Sequence, residues 1–189
     1  HWADHGAWTG EVSPVMIRDC GATLVELGHS ERRTHFGETD ETVAKKTAAA
    51  VKHGLIALVC IGDTRSEYDA GATADELARQ TRYALRDVGK AAKGQVIIAY
   101  EPVWSIGEGG VPADPDFAND QHRKLKALTA ELTGAPLPIL YGGSVNPQNC
   151  CELAAKPDID GLFIGRSAWD PSGYIGIVEA VTAHLGEQS

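Results

Sequence analysis

Five short apolar runs recur along this chain, at Leu24 to Leu27, Ile56 to Ile61, Val96 to Tyr100, Ile139 to Tyr141 and Leu162 to Ile164. None keeps a strict apolar/polar alternation, so each is expected to be a strand covered on both faces, the condition of strands in a parallel sheet. Between them lie segments with helical spacing: Glu41 to His53, Ala74 to Lys90, Pro115 to Leu132, Pro147 to Ala155 and Tyr174 to Leu185. Regular alternation of this kind builds βαβ units, in either a doubly wound open sheet or a barrel.

The strand ends choose between the two. A doubly wound dinucleotide-binding sheet calls for a glycine fingerprint after the first strand and an acid about 20 residues on. Here nearly every run ends instead in reactive or glycine-rich residues: His29, Gly62-Asp63, Glu101, Gly142-Gly143-Ser144 and Gly165-Arg166-Ser167. Chemistry shared among many strand ends is barrel behaviour. Five strands do not close an eight-stranded barrel, and Trp2 to Glu11 reads as a loop entering a helix near Ser13-Pro14. The expectation is therefore an α/β chain forming a single domain over residues 1–189. It would cover roughly the last five βα units of a (β/α)8 barrel and lack the first strands.

Charge and composition narrow the partners. Lys and Arg total 17 against 26 Asp and Glu, a formal charge of −9, which argues against wholesale binding of nucleic acid or an anionic membrane. No apolar run approaches the roughly 20 residues of a membrane span, and the start lacks the pattern of a signal peptide, so a cytoplasmic location is expected. Cys20, Cys60, Cys150 and Cys151 have neither zinc-ligand nor disulfide-framework spacing and read as ordinary thiols.

Glu101 is the leading catalytic candidate. It emerges at the carboxyl end of Val96 to Tyr100, where Pro102 stops the strand. A glutamate at a loop mouth is usually just solvated. Here Tyr100, Pro102, Val103 and Trp104 would desolvate it once the glycine-rich segment Gly107-Glu108-Gly109-Gly110 closed over it as a lid. His29, alone, is more often structural. The following Ser30 and Glu31 can start a helix, whose positive end favours a neutral imidazole able to polarise a carbonyl. Gly142-Gly143-Ser144 and Gly165-Arg166 close the last two runs, where barrels commonly hold phosphate. Arg32 and Arg33, close to Glu31, Glu38 and Asp40, are expected to form ion pairs that support the His29 loop, whereas Lys45 and Lys46 divide between a solvated patch and a role.

In this order the motifs resemble the triosephosphate isomerase family: Gly10-Glu-Val-Ser-Pro14, Gly28-His-Ser-Glu-Arg-Arg33 with Phe36-Gly-Glu-Thr-Asp40, Ala99-Tyr-Glu-Pro-Val-Trp104, Tyr141-Gly-Gly-Ser-Val145 and Pro157-Asp-Ile-Asp-Gly161. The resemblance implies a TIM (β/α)8 barrel and an aldose-ketose isomerase without metal or cofactor, acting on a small phosphorylated sugar. His29 would be the electrophile, Glu101 the base and Glu31 a supporting acid. Gly107, Ser144, Gly142, Gly143, Gly165 and Arg166 would surround the phosphate under a lid from Pro102 to Ala113. It also implies a homodimer through the Gly6-Glu11 loop, with Trp8 as an interface anchor.

Departures from the family pattern leave the substrate open. The lid usually reads Gly-Thr-Gly-Lys where this chain has Gly107-Glu108-Gly109-Gly110, and the last phosphate turn usually reads Gly-Gly where it has Gly165-Arg166. Both changes resemble paralogues that isomerise L-erythrulose 1-phosphate. Triose phosphate is placed first, tetrulose phosphate second and a catalytically idle sugar-phosphate binder third. The family's Asn and Lys on the loop after its first strand have no counterpart in these 189 residues, and a longer polypeptide is expected to supply them.

Overall fold

The computed structural model describes residues 1–107 and 109–186. Glu108, the acid placed in the lid above, lies outside the described residues, as do the last three. Strands β1 (Leu24–Leu27), β2 (Ile56–Ile61), β3 (Val96–Tyr100), β4 (Ile139–Tyr141) and β5 (Gly161–Leu162) form one sheet in chain order, every neighbouring pair parallel. Helices α1 (Pro14–Asp19), α2 (Ser30–Phe36), α3 (Asp40–Lys52), α4 (Arg65–Asp69), α5 (Thr73–Leu85), α6 (Pro115–Thr133), α7 (Cys150–Ala154) and α8 (Pro171–Gly186) occupy the connections. This is the partial α/β barrel expected from the alternation.

Register explains why the strands carry no polar face. Cys60 pairs with Ala99 and Ala99 with Leu140, which lines up Leu58, Cys60, Ile97, Ala99, Leu140 and Phe163 on the inner face. The intervening residues, among them Val59, Ile61, Ile98, Tyr100, Ile139 and Tyr141, pack outward beneath the helices in the larger core. With period-2 side chains, Tyr100 faces the helices and Glu101 turns to the inner side.

The helices start where side chains can cap them. Thr39 and Thr42 form a reciprocal capping box at α3, each side-chain oxygen accepting from the other's backbone N–H at 3.3 and 2.9 Å. Asp114 accepts from the N–H groups of Asp116 and Phe117 at the start of α6, with Pro115 in the first turn, and Gly134 in the left-handed region ends it. Val43, Thr47 and Ala50 of α3 and Leu77, Thr81 and Leu85 of α5 bury one stripe each, so these helices lie flat against the sheet.

Some boundaries differ from expectation. The last strand is Gly161–Leu162 rather than Leu162 to Ile164, because β5 pairs only with β4; the ladder continues one bond further, from Phe163 N–H to Tyr141 O at 2.8 Å. The expected helix from Pro147 begins only at Cys150, since Asn146 and Asn149 fold their side chains back onto the loop backbone. The short α4 was not anticipated. Thr64 and Glu67 cap it in a five-residue segment too brief to show a helical period.

Candidate active site

The β1 end is built first by Gly28. Its φ of +74° is in the left-handed region, and a Cβ there would lie 3.0 Å from Val43 and 3.1 Å from both Arg33 and the Cys60 carbonyl. Arg33 then ties two strand ends together: Nε donates to Gly28 O at 2.7 Å, Nη2 to Cys60 O at 3.3 Å and Nη1 to Asp40 at 2.7 Å. Buried Glu38 accepts from Gly28 N–H at 3.2 Å, pairs with Arg32 at 3.4 Å and receives Lys46 Nζ. The two arginines thus hold the His29 loop through Glu38 and Asp40, and Lys46 belongs to the same network. Lys45 stays at the surface, 3.5 Å from Glu41.

His29 caps α2, accepting at Nδ1 from the Glu31 N–H at 3.2 Å, which leaves the ring proton on Nε2. Nε2 lies 3.2 Å from Oε1 of Glu101, a side chain only 4% exposed. The sequence leads one to expect an imidazole kept neutral by the helix end. Instead the hydrogen bond to Glu101 pushes its pKa up to about 8, against burial, with the charges of Glu101, Glu26 and Glu31 adding in the same direction. The Glu31 N–H opposes this, because a protonated ring has no acceptor at Nδ1. A carbonyl oxygen entering between the pair would take the Nε2–H and remove the largest cause of the upward shift. The Glu31 side chain itself is exposed and in no ion pair among the described residues; its backbone is what meets His29.

Glu101 is fixed by its backbone N–H to Ile61 O at 2.8 Å. A Cβ on Gly142 would stand 2.8 Å from Glu101 Cγ, so that glycine makes room for the carboxylate as well as lying in the expected phosphate turn. Cys60 lies against Glu101 from below, and burial, reinforced by Glu101, keeps its thiol protonated. Asp63 was legible only as a strand-end residue. Wholly buried, it accepts from Thr73 Oγ1 at 2.7 Å, Tyr100 OH at 3.1 Å and Trp104 Nε1 at 3.2 Å, while its carbonyl accepts from Val103 N–H at 2.9 Å. It therefore anchors the first residues of the lid to β2.

The three segments expected around phosphate are joined by two bonds. Arg166 Nη2 donates to the Gly107 carbonyl, linking the turn after β5 to the lid, and Ser167 Oγ donates to Val145 O at 2.8 Å, linking it to the turn after β4. Ser144, half-buried, offers its carbonyl to Asn149 Nδ2 at 2.9 Å, which stiffens that turn. Gly143 is crowded from beneath, a Cβ there meeting the Tyr141 hydroxyl at 2.1 Å. Gly107 and Gly165 have open space around them. Trp8 is half-exposed and lies tilted against the His1 ring, 4.0 Å between ring centres.

A carboxylate and an imidazole thus meet at the carboxyl edge of a parallel sheet, beside glycine turns, which is where α/β barrels carry their active sites. The triosephosphate isomerase family matches residues 1–181, and the chain belongs to that family. It is a sugar-phosphate isomerase. Over 190 aligned residues it is 55% identical to the L-erythrulose-1-phosphate isomerase of Rhizobium etli, covering 100% of this chain and 71% of the relative. The protein of that name from Rhizobium meliloti is 57% identical over 182 residues, 96% of this chain and 71% of its own length. That from Brucella abortus biovar 1 is 54% identical over 179 residues, 94% and 70% respectively. Among the described residues no helix is long and apolar enough to cross a membrane.

Proposed function

We propose that the protein isomerises a four-carbon ketose phosphate, L-erythrulose 1-phosphate, in preference to triose phosphate. The observation that carries this reading is the 55% identity, over the whole of this chain, to a relative of that name; the His29–Glu101 pair, 3.2 Å apart, supports the isomerase chemistry common to both substrates. The order given by the motifs alone, triose first, is thereby reversed. The two substrates share their reacting part: L-erythrulose 1-phosphate is dihydroxyacetone phosphate with a hydroxymethyl group on the carbon that loses its proton.

Glu101 removes the proton from C3, the C–H electron pair becomes the C2–C3 double bond, and the C2 carbonyl electrons move onto oxygen. The His29 Nε2–H donates to that oxygen as its charge develops. Glu101 then returns the proton to C2 while the C3 hydroxyl proton passes by way of His29 to the C2 oxygen. With carbon on both sides of C3, the product is a second ketose rather than an aldose. Glu31 supports the reaction through its N–H on His29. Gly107, Gly142, Gly143, Ser144, Gly165 and Arg166 surround the phosphate.

Residues 1–189 form part of one barrel domain. Apolar side chains exposed at its two flanks, Leu24 and Met16 near β1 and Trp169, Ile175 and Val178 near α8, support its closure by further βα units. The half-exposed Trp8 supports a homodimer through the Gly6–Glu11 loop.

The test is turnover of L-erythrulose 1-phosphate against glyceraldehyde 3-phosphate. A kcat/KM at least about tenfold higher for the tetrulose is expected, the discrimination one added group can supply. A preference for the triose would overturn the substrate assignment. Turnover of neither, by protein that still binds inorganic phosphate, would make it an idle binder.

A further inference from the structure

We propose that Glu26 selects the four-carbon substrate, its carboxylate accepting a hydrogen bond from the hydroxymethyl group that L-erythrulose 1-phosphate carries and dihydroxyacetone phosphate lacks. Among the described residues it is the only charged side chain in any of the five strands. Glu26 pairs in register with Leu58, which places it on the inner face shared with Cys60, Ala99 and Phe163, beneath Gly28 and His29.

A carboxylate on an apolar face calls for a partner. Among the described residues Glu26 has no ion pair and accepts no hydrogen bond. Arg32 and Lys46, which line the same cavity along the free edge of β1, are both taken up by Glu38. Burial pushes the Glu26 carboxyl above its ordinary value, with Glu101 and Glu31 adding to the rise and His29 opposing it. Its charge acts in turn on His29 and on the Cys60 thiol, so this acid shares one electrostatic cluster with the reacting pair.

Strand order gives the direction. The glycine turns of the phosphate cradle follow β4 and β5, Glu101 follows β3 and His29 follows β1. A ketose phosphate held at the cradle, with C2 at His29 and C3 at Glu101, carries C4 away from its phosphate. Toward β4 the space is closed: a Cβ on Gly142 would stand 2.8 Å from Glu101 Cγ and 3.0 Å from Phe163. On the β1 side the inner face presents Glu26. A hydroxyl donating there forms a charge-assisted bond, whereas a triose phosphate leaves the desolvated acid without a donor. The inference rests on the sugar-phosphate reading of the site and adds the side chain that tells the two sugars apart.

The probe is 4-deoxy-L-erythrulose 1-phosphate, which replaces the C4 hydroxyl by hydrogen and keeps the carbon chain. In the full-length parent protein its kcat/KM should be about 10- to 100-fold below that of L-erythrulose 1-phosphate, the worth of one hydrogen bond to a charged group. In Glu26→Leu the two compounds should become equal, and tetrulose turnover should fall by at least about tenfold more than that of glyceraldehyde 3-phosphate. Glu26→Gln, which keeps an acceptor without the charge, should lie between. Equal use of the two four-carbon compounds by the parent overturns the inference whether or not any variant folds. So does a Glu26→Leu that loses triose and tetrulose turnover in equal measure, which would make Glu26 structural support. Turnover of triose phosphate alone by the parent would sink the substrate reading instead. Calorimetric dissociation constants of the two four-carbon compounds then decide Glu26 by the same ratio, equal affinities overturning it.

Discussion

His29 sits at the mouth of the sheet, its Nε2 3.2 Å from Glu101, with a pKa pushed up to about 8, whereas His122, on α6 between the rings of Tyr100 and Tyr141, is wholly buried and pushed down to about 4. At His122 burial is the largest cause of the shift, and charging the ring there is costly. His29 gains a carboxylate that outweighs its own partial burial. One residue type is thus poised for proton traffic in one place and held inert in the other, and the neighbour across the sheet makes the difference.

Breaking the pair at the mouth has the largest expected effect. Glu101→Gln should lower turnover by about 10²–10⁴-fold, the usual contribution of a positioned base, while phosphate inhibition stays close to the parent value. Nuclear magnetic resonance titration of the same variant should show the His29 pKa falling from about 8 toward 6.5. An unchanged His29 titration would show that Glu101 is not what raises it.

The scaffold beneath His29 comes next. Glu38→Ala strips the partner from Lys46 and Arg32 and the acceptor from Gly28 N–H, and should cost about 3 kcal/mol in denaturant unfolding. Loss of activity without loss of stability would move Glu38 from scaffold to chemistry.

The last effect is absent at neutral pH and confined to acid. Because the folded-state pKa of His122 is depressed, its contribution to stability is present above about pH 6.5 and is lost as pH falls toward 4. His122→Leu should remove a loss of about 3 kcal/mol between those values, seen as a flatter plot of stability against pH. His29 acts with the opposite sign. Its raised pKa gives stability present below 6.5 and lost as pH rises through about 8.

Much of this was readable from residue order. Four of the five strands stand where their apolar runs begin and end, because strands buried on both faces leave continuous hydrophobic sequence. Glu101 and His29 were legible as candidates since each follows such a run directly. The departures have local causes. Asn146 and Asn149 delay α7 by bonding to backbone, and the single neighbour of β5 shortens it. Lys46 could not be told from Lys45 by spacing, because what separates them is that one meets the buried Glu38 and the other the surface Glu41.

Periodicity, strand-end chemistry and charge, all properties of neighbouring residues, were enough to determine a parallel α/β sheet with an acid and a histidine at its carboxyl edge. Long-range distance decided the rest. The protonation of His29 depends on a carboxylate 72 residues away in the chain, the role of Asp63 on Tyr100 and Trp104 reaching it across the sheet, and the reach of Arg166 on a lid carbonyl brought near by the fold. Electrostatic and hydrogen-bond energies fall away within a few ångströms, and separations of that size between distant residues exist only once the chain has folded.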